Sequence, residues 1–331
     1  MGFLLNRRSV LIGTGSTVLG SLLPTALARS ASGYPERAVR LIVPWAAGGS
    51  TDALARAVGQ RMGETLGNTV IIENRPGASG RLGVDGMVKA PADGYTAAVI
   101  ELAHAVAPAV FQKVSYDLLQ DTTAISLLGD SPLVLFVSAS QYKEGQFDQF
   151  VGDAKKAKSP FTLATSGNGS ISHLAAGLLS KETRVPLEMI PYKGSAPALT
   201  DVAAGIVSGH ICTLASAASL LGAGKIVPLM VTGEQRIPQL PNTPSATELG
   251  LKTMNFVQWW AMVAPSKTPQ PILDKLYEAT AAALRDERVK SRISSQGIHL
   301  KSMTPAQTTS FIRAEAGQWV KVVTELGIQP E

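Results

Sequence analysis

Short aliphatic runs alternate with helical stripes of apolar residues along most of the chain. The run at residues 39–43 is aliphatic and β-branched and predicts a buried strand. The next segment predicts an amphipathic helix, because its apolar residues recur at every fourth position, at Leu54, Val58, Met62 and Leu66. Since this alternation of strand and helix continues, the sequence predicts an α/β fold with a sheet of parallel strands.

The same patterns predict the remaining elements. Further strands are predicted at residues 69–73, 95–100, 123–128, 133–138, 161–165, 187–190, 209–214, 226–231 and 257–263. Helices are predicted at residues 78–90, 147–158 and 271–285, and from about Ser172, Pro197 and Thr304 onwards. Pro197 suits the first position of its helix, and Thr304-Pro305-Ala306-Gln307 has the pattern of a capping box. The turn-forming sequence Gly129-Asp130-Ser131-Pro132 separates two strands, and we expect a domain boundary near it.

The first 28 residues have the composition of a cleavable export signal. Arg7 and Arg8 precede the uncharged apolar stretch 10–23, and Ala26-Leu27-Ala28 is a small-x-small cleavage pattern. The paired arginines fit a twin-arginine signal, a general secretory signal fits nearly as well, and a membrane anchor is the alternative. No later stretch reaches about 18 uninterrupted apolar residues. We therefore expect a soluble, exported mature protein, cleaved after Ala28.

Length, charge and cysteine content exclude several classes. The 331 residues suffice for two domains. The net charge is +5, and without Arg7 and Arg8 it falls to +3, from 28 basic and 25 acidic residues. This small, evenly spread excess does not favour nucleic-acid binding. Cys212 is alone, so neither an internal disulfide nor a cysteine metal site is expected, and no metal or cofactor is predicted.

Three loops between a strand and a helix are candidate anion sites. Gly48 and Gly49 precede a helix that Ser50 or Thr51 could cap, and glycines let a ligand approach the backbone amides of a helix N-terminus. Residues 166–170 and 192–197 repeat this arrangement. The carboxyl ends of parallel strands share one edge of a sheet, so these loops are expected at one rim. A tight turn without a ligand is the alternative for the first loop.

Other residues near these loops have competing interpretations. Asp52 is expected to stabilise the first loop by hydrogen bonding, and Trp45 either forms an apolar wall or covers the turn. Glu101 and His104 could form an acid–base pair, but a structural or ligand-orienting role is favoured, because no nucleophile is beside them. Gly167-x-Gly169 with Glu188 has dinucleotide-like spacing, but Ser172 occupies the third glycine position, so a nucleotide site is not favoured.

Trp259 and Trp260 are neighbours in a predicted strand and therefore point to opposite faces of the sheet. Either one indole faces the core and the other faces a cleft or solvent, or both are packed inside the protein.

Several motifs, taken together and in this order, resemble the extracytoplasmic solute receptors of tripartite tricarboxylate transporters, the Bug or TctC family. The similarity extends over essentially the whole mature chain. The matching motifs are Arg40-Leu41-Ile42-Val43-Pro44-Trp45 with Gly48-Gly49-Ser50-Thr51-Asp52, Glu73-Asn74-Arg75-Pro76-Gly77-Ala78, Asp93-Gly94-Tyr95-Thr96, Ser166-Gly167-Asn168-Gly169 with His173-Leu174, Tyr192-Lys193-Gly194-Ser195-Ala196-Pro197-Ala198, and residues 259–265 followed by Thr268-Pro269.

This resemblance implies a two-lobed periplasmic-binding-protein fold of type II, with a ligand cleft between lobes formed by residues 33–131 plus 254–331 and by residues 132–253. It also implies a non-catalytic periplasmic monomer that binds a small organic acid or an amino-acid-like ligand and delivers it to membrane permease subunits. The expected ligand-binding residues are Trp45, Gly48, Gly49, Ser50, Thr51, Asp52, Glu101, His104, Ser166, Gly167, Asn168, Gly169, Tyr192, Lys193, Gly194, Ser195, Ala196 and Cys212.

The chain departs from the family pattern at two places. Glu101 and His104 stand in a loop that is often built from small and hydroxylic residues, and Ser208 and Cys212 replace an Asp-x-x-x-Asp pattern. If Glu101 faces the cleft ionised, it disfavours a second ligand carboxylate and favours an ammonium or a neutral donor.

Two other functions remain open from the sequence. One is an exported hydrolase or oxidoreductase that uses Ser166 and His173. The other is a periplasmic sensor without a role in transport.

Overall fold

The computed structural model describes residues 33–328 and residue 330. The predicted export signal, residues 1–28, lies outside the described residues, so the signal and its cleavage site stay predictions. Within the described part of the chain, no helix is both long enough and apolar enough to cross a bilayer.

Strands and helices alternate through most of the described chain. The strands are Val39–Val43 (β1), Val70–Asn74 (β2), Thr96–Glu101 (β3), Thr122–Ser138 (β4), Phe161–Thr165 (β5), Leu187–Pro191 (β6), Gly209–Thr213 (β7), Ile226–Val231 (β8), Val257–Pro265 (β9) and His299–Leu300 (β10). The helices are Ser50–Leu66 (α1), Arg81–Val88 (α2), Leu102–Val110 (α3), Leu118–Asp121 (α4), Phe147–Lys156 (α5), Ile171–Thr183 (α6), Ser195–Ala203 (α7), Leu214–Gly222 (α8), Gln270–Arg285 (α9), Glu287–Ser294 (α10) and Pro305–Glu325 (α11). Two 3₁₀ turns lie at Ala78–Gly80 and Lys252–Met254.

The sheet consists of two parallel sets of strands joined by two antiparallel strands. Its order is β2-β1-β3-β9-β4-β7-β5-β6, with β8 and β10 also paired to β4. β1 is parallel to β2 and β3, and β5 is parallel to β6 and β7. β9 is antiparallel to both β3 and β4. The predicted α/β fold is confirmed, but the expectation of parallel strands holds only within each set.

The long strand β4 connects the two sets because its partners change along its length. Its first part pairs with β9 as far as Pro132, and from Leu133 onwards it pairs with β7 and β8. The first set of strands therefore lies on one side of this change of partner and the second set lies on the other.

The predicted turn at Gly129-Asp130-Ser131-Pro132 is wrong, because these residues lie inside β4. Gly129 is there for close packing: a Cβ atom at this position would lie 2.5 Å from the carbonyl oxygen of His299 in β10. Asp130 forms an ion pair with Lys301, just beyond β10. Residues that usually make a turn instead allow a second chain segment to approach the strand closely.

Trp259 and Trp260 are both fully buried, on opposite faces of the sheet, which is the second of the two expected arrangements. The Trp259 Nε1–H donates to Glu315 at 3.0 Å, and the Trp260 Nε1–H donates to Thr51 Oγ1 at 3.0 Å. Helices cover both faces, so neither indole reaches solvent. The second contact connects the central sheet to the first turn of α1.

Helix starts were predicted with mixed success. The capping box at Thr304 is present. The N-cap of α1 is Gly49, without a side-chain cap, and Ser50 and Thr51 lie in the first turn, so the predicted cap is wrong. Pro197 is the third residue of α7 rather than its first. In both corrected cases a glycine precedes the helix and allows the helix to begin earlier than predicted.

Replacing Gly129 with Ala is expected to destabilise the protein by about 2 kcal/mol or more, because the new methyl group would overlap backbone atoms that cannot move easily. Gly152→Ala is the matched control. Gly152 lies within α5 with open space around its Cβ position, so this change should stabilise the protein by about 0.5–1 kcal/mol. Urea unfolding of both variants measures the difference, and equal midpoints for the two variants would contradict the packing explanation.

Candidate ligand-binding site

Four helices begin at one cavity. α1, α6 and α7 each follow a short loop after β1, β5 and β6, and α8 begins immediately after β7. The N-terminal residues of all four helices line the cavity, together with Glu101 at the end of β3. The cavity lies at the carboxyl ends of parallel strands, which is where ligands of open α/β sheets bind. Each helix also directs unpaired amide groups and partial positive charge towards it.

The central cavity is small and adjoins a larger one. Its volume is about 50 Å³. A more open outer cavity of about 580 Å³ shares Trp45 and Ser166 with it. A bound water needs roughly 10–15 Å³ on this measure, so the central cavity has room for a few waters or for a small part of an organic ligand.

Asp52 holds the first loop in place. Its carboxylate accepts hydrogen bonds from the Gly48 amide at 3.1 Å, from Arg56 Nε at 3.0 Å and from Asn74 Nδ2 at 3.0 Å. Burial raises the pKa of Asp52, but the hydrogen bonds from Arg56, Gly48 and Asn74 outweigh burial and lower the pKa below its usual range. The charged Asp52 therefore has the loop-stabilising contacts that were expected for it.

The amides of the first loop are divided between the protein and the cavity. The Gly48 amide is bound by Asp52, and the Ser50 amide donates to Ser216 Oγ at 3.1 Å. Within the described part of the chain, the amides of Gly49 and Thr51 have no hydrogen-bond partner. These two residues line the cavity, so within the loop 48–52 only their amides are available for the expected anion.

The second loop is stabilised by the helix that follows it. The Ser166 amide donates to Ser172 Oγ at 2.8 Å, and the Gly169 amide donates to His173 Nδ1 at 3.0 Å. Ser170 caps α6 by accepting from the His173 amide. This loop therefore presents hydroxyl groups, rather than the amides of Ser166 and Gly169, to the cavity.

A contact between Ser195 and His210 was not predicted. Ser195 Oγ lies 3.1 Å from His210 Nε2 and 3.0 Å from Ser166 Oγ. His210 Nδ1 lies 2.7 Å from the carbonyl oxygen of Ala164, which can only accept, so Nδ1 carries the proton and Nε2 accepts from Ser195. Burial lowers the pKa of His210 to about 4, so the ring is neutral at neutral pH. This network orients the Ser195 hydroxyl at the start of α7.

The third loop reaches both cavities. The Tyr192 hydroxyl donates to Asp201 at 2.6 Å, and this hydrogen bond together with burial raises the pKa of Tyr192 to about 12. Tyr192 and Lys193 line the outer cavity, whereas Gly194 lines the central one. Gly194 has a φ of 142°, a backbone conformation that favours glycine, and a Cβ atom there would be in ordinary contact with Ala46 of the first loop.

Glu101 is buried at one wall of the central cavity. Gln258 Nε2 donates to its carboxyl group, and Thr51 forms a second side-chain hydrogen bond to it. Burial raises the pKa of Glu101 to about 8, even though the bond from Thr51 acts in the opposite direction. A neutral, protonated Glu101 is therefore a major form in the protein without ligand at neutral pH.

His104 has a structural contact and lies away from the central cavity. The Glu101 amide donates to His104 Nδ1 at 3.1 Å, and the imidazole meets the Trp45 ring edge-on at a centroid distance of 6.0 Å. Burial lowers the pKa of His104 to about 4. The ring contributes to the lining of a different cavity, beside Phe111 and Tyr116.

The structure brings most of the predicted residues to the two cavities. The central cavity is lined by Trp45, Gly49, Ser50, Thr51, Glu101, Ser166, Gly194, Ser195 and Cys212. The outer cavity adds Gly167, Asn168, Tyr192 and Lys193. Neither cavity is lined by Gly48, Asp52, His104, Gly169 or Ala196. Burial raises the pKa of Cys212, so its side chain contributes a neutral thiol.

Several lining residues were missed. Ser170 lies in the predicted loop 166–170 and Ser172 at the predicted start of the following helix, but neither was among the expected ligand-binding residues. Thr213 ends β7, and Ser216 lies in the first turn of α8, a helix that was not predicted. Gln258 is a polar residue in a strand that is otherwise almost entirely apolar, and His210, which contacts Ser195 but lines neither cavity, is a buried polar residue in β7. A polar side chain at a buried strand position is the one local signal that could have identified these last two residues.

The fold and the site define an α/β binding protein of the periplasmic type, with its ligand cavity between two sets of parallel strands. The sequence profile of the tripartite tricarboxylate transporter family receptor, TctC, matches residues 54–328. The chain belongs to this family of receptors.

Its relatives agree with this assignment. The chain is 33% identical over 300 residues to the protein BugT of Bordetella pertussis, covering 90% of this chain and 92% of that one. The structure of Rpa4515 of R. palustris with adipate has a TM-score of 0.86 at 32% identity, covering 90% and 100% of the two chains. The structure of MatC of Rhodopseudomonas palustris with bound malate has a TM-score of 0.82 at 30% identity, covering 88% and 100%.

The ligand-free protein is expected to lose thermal stability as the pH rises from about 5 to 8.5. The pKa of Glu101 rises from 4.5 in the unfolded chain to about 8 in the folded one, so in this window the unfolded state releases a proton that the folded state retains. Raising the pH therefore favours unfolding. Glu101→Gln removes this titration, and its thermal midpoint should exceed that of the unchanged protein by about 3 °C or more at pH 8.5.

The two buried histidines affect the stability of the protein at acidic pH. The pKa values of His104 and His210 are lowered to about 4, so their contribution to stability is lost as the pH falls below about 6.5, equally in both proteins. The difference between the two thermal midpoints therefore isolates Glu101. A difference that does not grow between about pH 5 and 8.5 would show that Glu101 is not held in its neutral form.

Proposed function

We propose that this chain is an extracytoplasmic solute receptor that captures a small carboxylate-containing metabolite and delivers it to a tripartite tricarboxylate-type membrane transporter. The observation that carries the proposal is the convergence of four helix N-termini on one cavity whose lining, within the described residues, contains no Lys or Arg. The relatives that hold malate and adipate support a carboxylate ligand.

A carboxylate fits the amides that remain unpaired. Gly49 and Thr51 at the start of α1 and Ser195 at the start of α7 offer N–H groups from two sides of the cavity. Each helix terminus contributes about 0.3–1 kcal/mol, and up to about 2 kcal/mol where partly buried. Micromolar affinity needs about 8 kcal/mol, so charge-assisted hydrogen bonds to amides and hydroxyls and burial of the ligand body supply the remainder.

The proposed cleft divides the chain into a lobe of residues 33–131 plus 254–331 and a lobe of residues 132–253. The change of partner along β4 supports this division. Contacts across the cleft are close: the Ser50 amide bonds Ser216 Oγ at 3.1 Å, and a Cβ atom on Gly167 would lie 2.7 Å from Ser79 Oγ. In the proposed mechanism the lobes separate to exchange the ligand, and affinity depends on both of them.

The outer cavity suits the approach of an anion. Lys193 is exposed at this cavity, and the Arg81 guanidinium, also in its lining, stacks on the Phe111 ring at 3.5 Å. Positive charge at an entrance raises the local concentration of anions and their association rate.

The proposal includes export and location. Residues 1–28 direct the chain out of the cytoplasm by the twin-arginine or the general secretory route, with cleavage after Ala28. The mature protein acts in the periplasm as a monomer, without a cofactor and without catalysis, and membrane permease subunits receive its ligand. The family membership supports this assignment.

Calorimetry with small mono- and dicarboxylates, each beside the uncharged amide made from it, tests the proposed function. The panel includes acids with and without amino or hydroxyl groups. At least one acid should bind with a dissociation constant of about 1–10 μM, and its amide should bind at least about 100-fold more weakly, because charge-assisted hydrogen bonds are lost. Absence of binding across the whole panel, or equal binding of acid and amide, would contradict a carboxylate receptor.

Lys193→Gln is expected to slow the association of such an acid about threefold at low ionic strength and to have little effect near 0.5 M salt, where charges are screened over a few ångströms. Lys158→Gln is the matched control, because Lys158 is exposed and lines neither cavity. Stopped-flow fluorescence measures the rates. Equal slowing in both variants, or slowing that persists at high salt, would contradict a role of Lys193 in attracting the anion.

A further inference from the structure

One wall of the central cavity differs from the others, because it carries a carboxyl group and a side-chain amide rather than a helix N-terminus. Glu101 ends β3, and Gln258 lies near the start of the adjacent antiparallel strand β9. Their exposed fractions are only 9% and 2%, yet both line the cavity. Burying a carboxyl group and an amide beside a ligand site is costly unless both have partners.

The protein fixes the orientation of both groups. Gln258 Nε2 donates to Glu101 and also to the carbonyl oxygen of Trp259 at 3.0 Å, which places the amide nitrogen on that side. The Trp260 Nε1–H donates to Thr51 Oγ1, so the Thr51 hydroxyl proton is available for Glu101.

One acceptor remains without a donor. Gln258 Oε1 is buried and has no hydrogen-bond partner within the described chain. Leaving a buried acceptor unpaired costs stability, and a donor on the ligand would recover that cost. The adjoining wall has the reverse character, because α1 begins there with unpaired amides at Gly49 and Thr51, next to the Thr51 hydroxyl that bonds Glu101.

The cavity therefore has a donor end and an acceptor end a short distance apart. In its lining, as far as the structure describes the chain, no Lys, Arg or His side chain is available to balance Glu101. A simple carboxylic acid would leave Gln258 Oε1 unpaired, and a second carboxylate at this end would meet Glu101. An ammonium group brings three donors, and its positive charge favours the ionised form of Glu101 over the protonated form of the ligand-free protein.

Building on the proposed function, we propose that the ligand is a small 2-amino acid in its zwitterionic form, with its carboxylate at the helix N-termini and its ammonium group between Glu101 and Gln258 Oε1. The carboxylate and the ammonium group of a 2-amino acid are attached to the same carbon atom, which suits the small volume of about 50 Å³. A longer side chain extends past Ser166 into the outer cavity.

Calorimetry with two matched sets of compounds tests this inference. One set is alanine, lactate and propionate, and the other is aspartate, malate and succinate, so that within each set only an ammonium, a hydroxyl or a hydrogen differs. In the set that binds, the amino acid should bind at least about tenfold more tightly than the unsubstituted acid, with the hydroxy acid between them. Glu101→Gln should reduce this preference to about threefold or less.

Glu188→Gln is the matched control, since Glu188 is exposed in β6 and lies outside both cavities. It should keep the full preference of the unchanged protein. The order of affinities in the unchanged protein is informative by itself, so the test does not depend on Glu101→Gln folding.

The outcomes separate this inference from the proposed function. Equal affinities within each set, a hydroxy acid that binds as tightly as the amino acid, or a preference that survives in Glu101→Gln would overturn the ammonium site while leaving a carboxylate receptor intact. If none of the six compounds and none of the wider carboxylate panel binds, the proposed function fails and the ammonium site fails with it.

Discussion

Unpaired amides at helix N-termini are the constraint on which the site depends. An α-helix leaves its first N–H groups without partners inside the helix, and in this fold α1, α6, α7 and α8 all begin at one cavity. No Lys or Arg is in the described lining of this cavity, so these amides and the serine and threonine hydroxyls beside them are the groups there that attract an anion. The sheet holds them together, because strand ends that are parallel within each set meet at the junction of the two sets.

The protein uses some of these amides itself and leaves others for the cavity. Asp52 accepts a hydrogen bond from the Gly48 amide, and Ser216 accepts one from the Ser50 amide from across the cavity. Such contacts hold the loops in one conformation, which reduces the entropy lost on binding. Gly49 and Thr51, between and beside the occupied positions, remain at the cavity. The same short loop therefore serves stability and function: the amides of Gly48 and Ser50 anchor it, and the amides of Gly49 and Thr51 face the cavity.

Local features were predicted well because they depend on neighbouring residues. The strands β1, β5 and β8 and the Thr304 capping box match their sequence patterns, and glycine-rich loops correctly indicate the cavity. The predictions were wrong where the local structure depends on a segment that is distant in sequence. The local sequence around Gly129 predicts a turn, and only the packing of β10 against it explains the glycine. The role of α8 and Ser216 likewise depends on the pairing of β7 with β5, which the local sequence does not indicate. The pairing of Gln258 with Glu101 spans 157 residues, so no local pattern could predict it.

The most direct test of the account is to follow the backbone amides of the cavity by ¹H–¹⁵N NMR while a binding carboxylate is titrated into the ligand-free protein. The account predicts large shift changes and slowed hydrogen exchange at Gly49, Thr51 and Ser195, with smaller changes at Gly48, whose amide is bound to Asp52. Unchanged amides at these three residues, with the perturbation concentrated around Arg81 and Lys193 of the outer cavity, would contradict it.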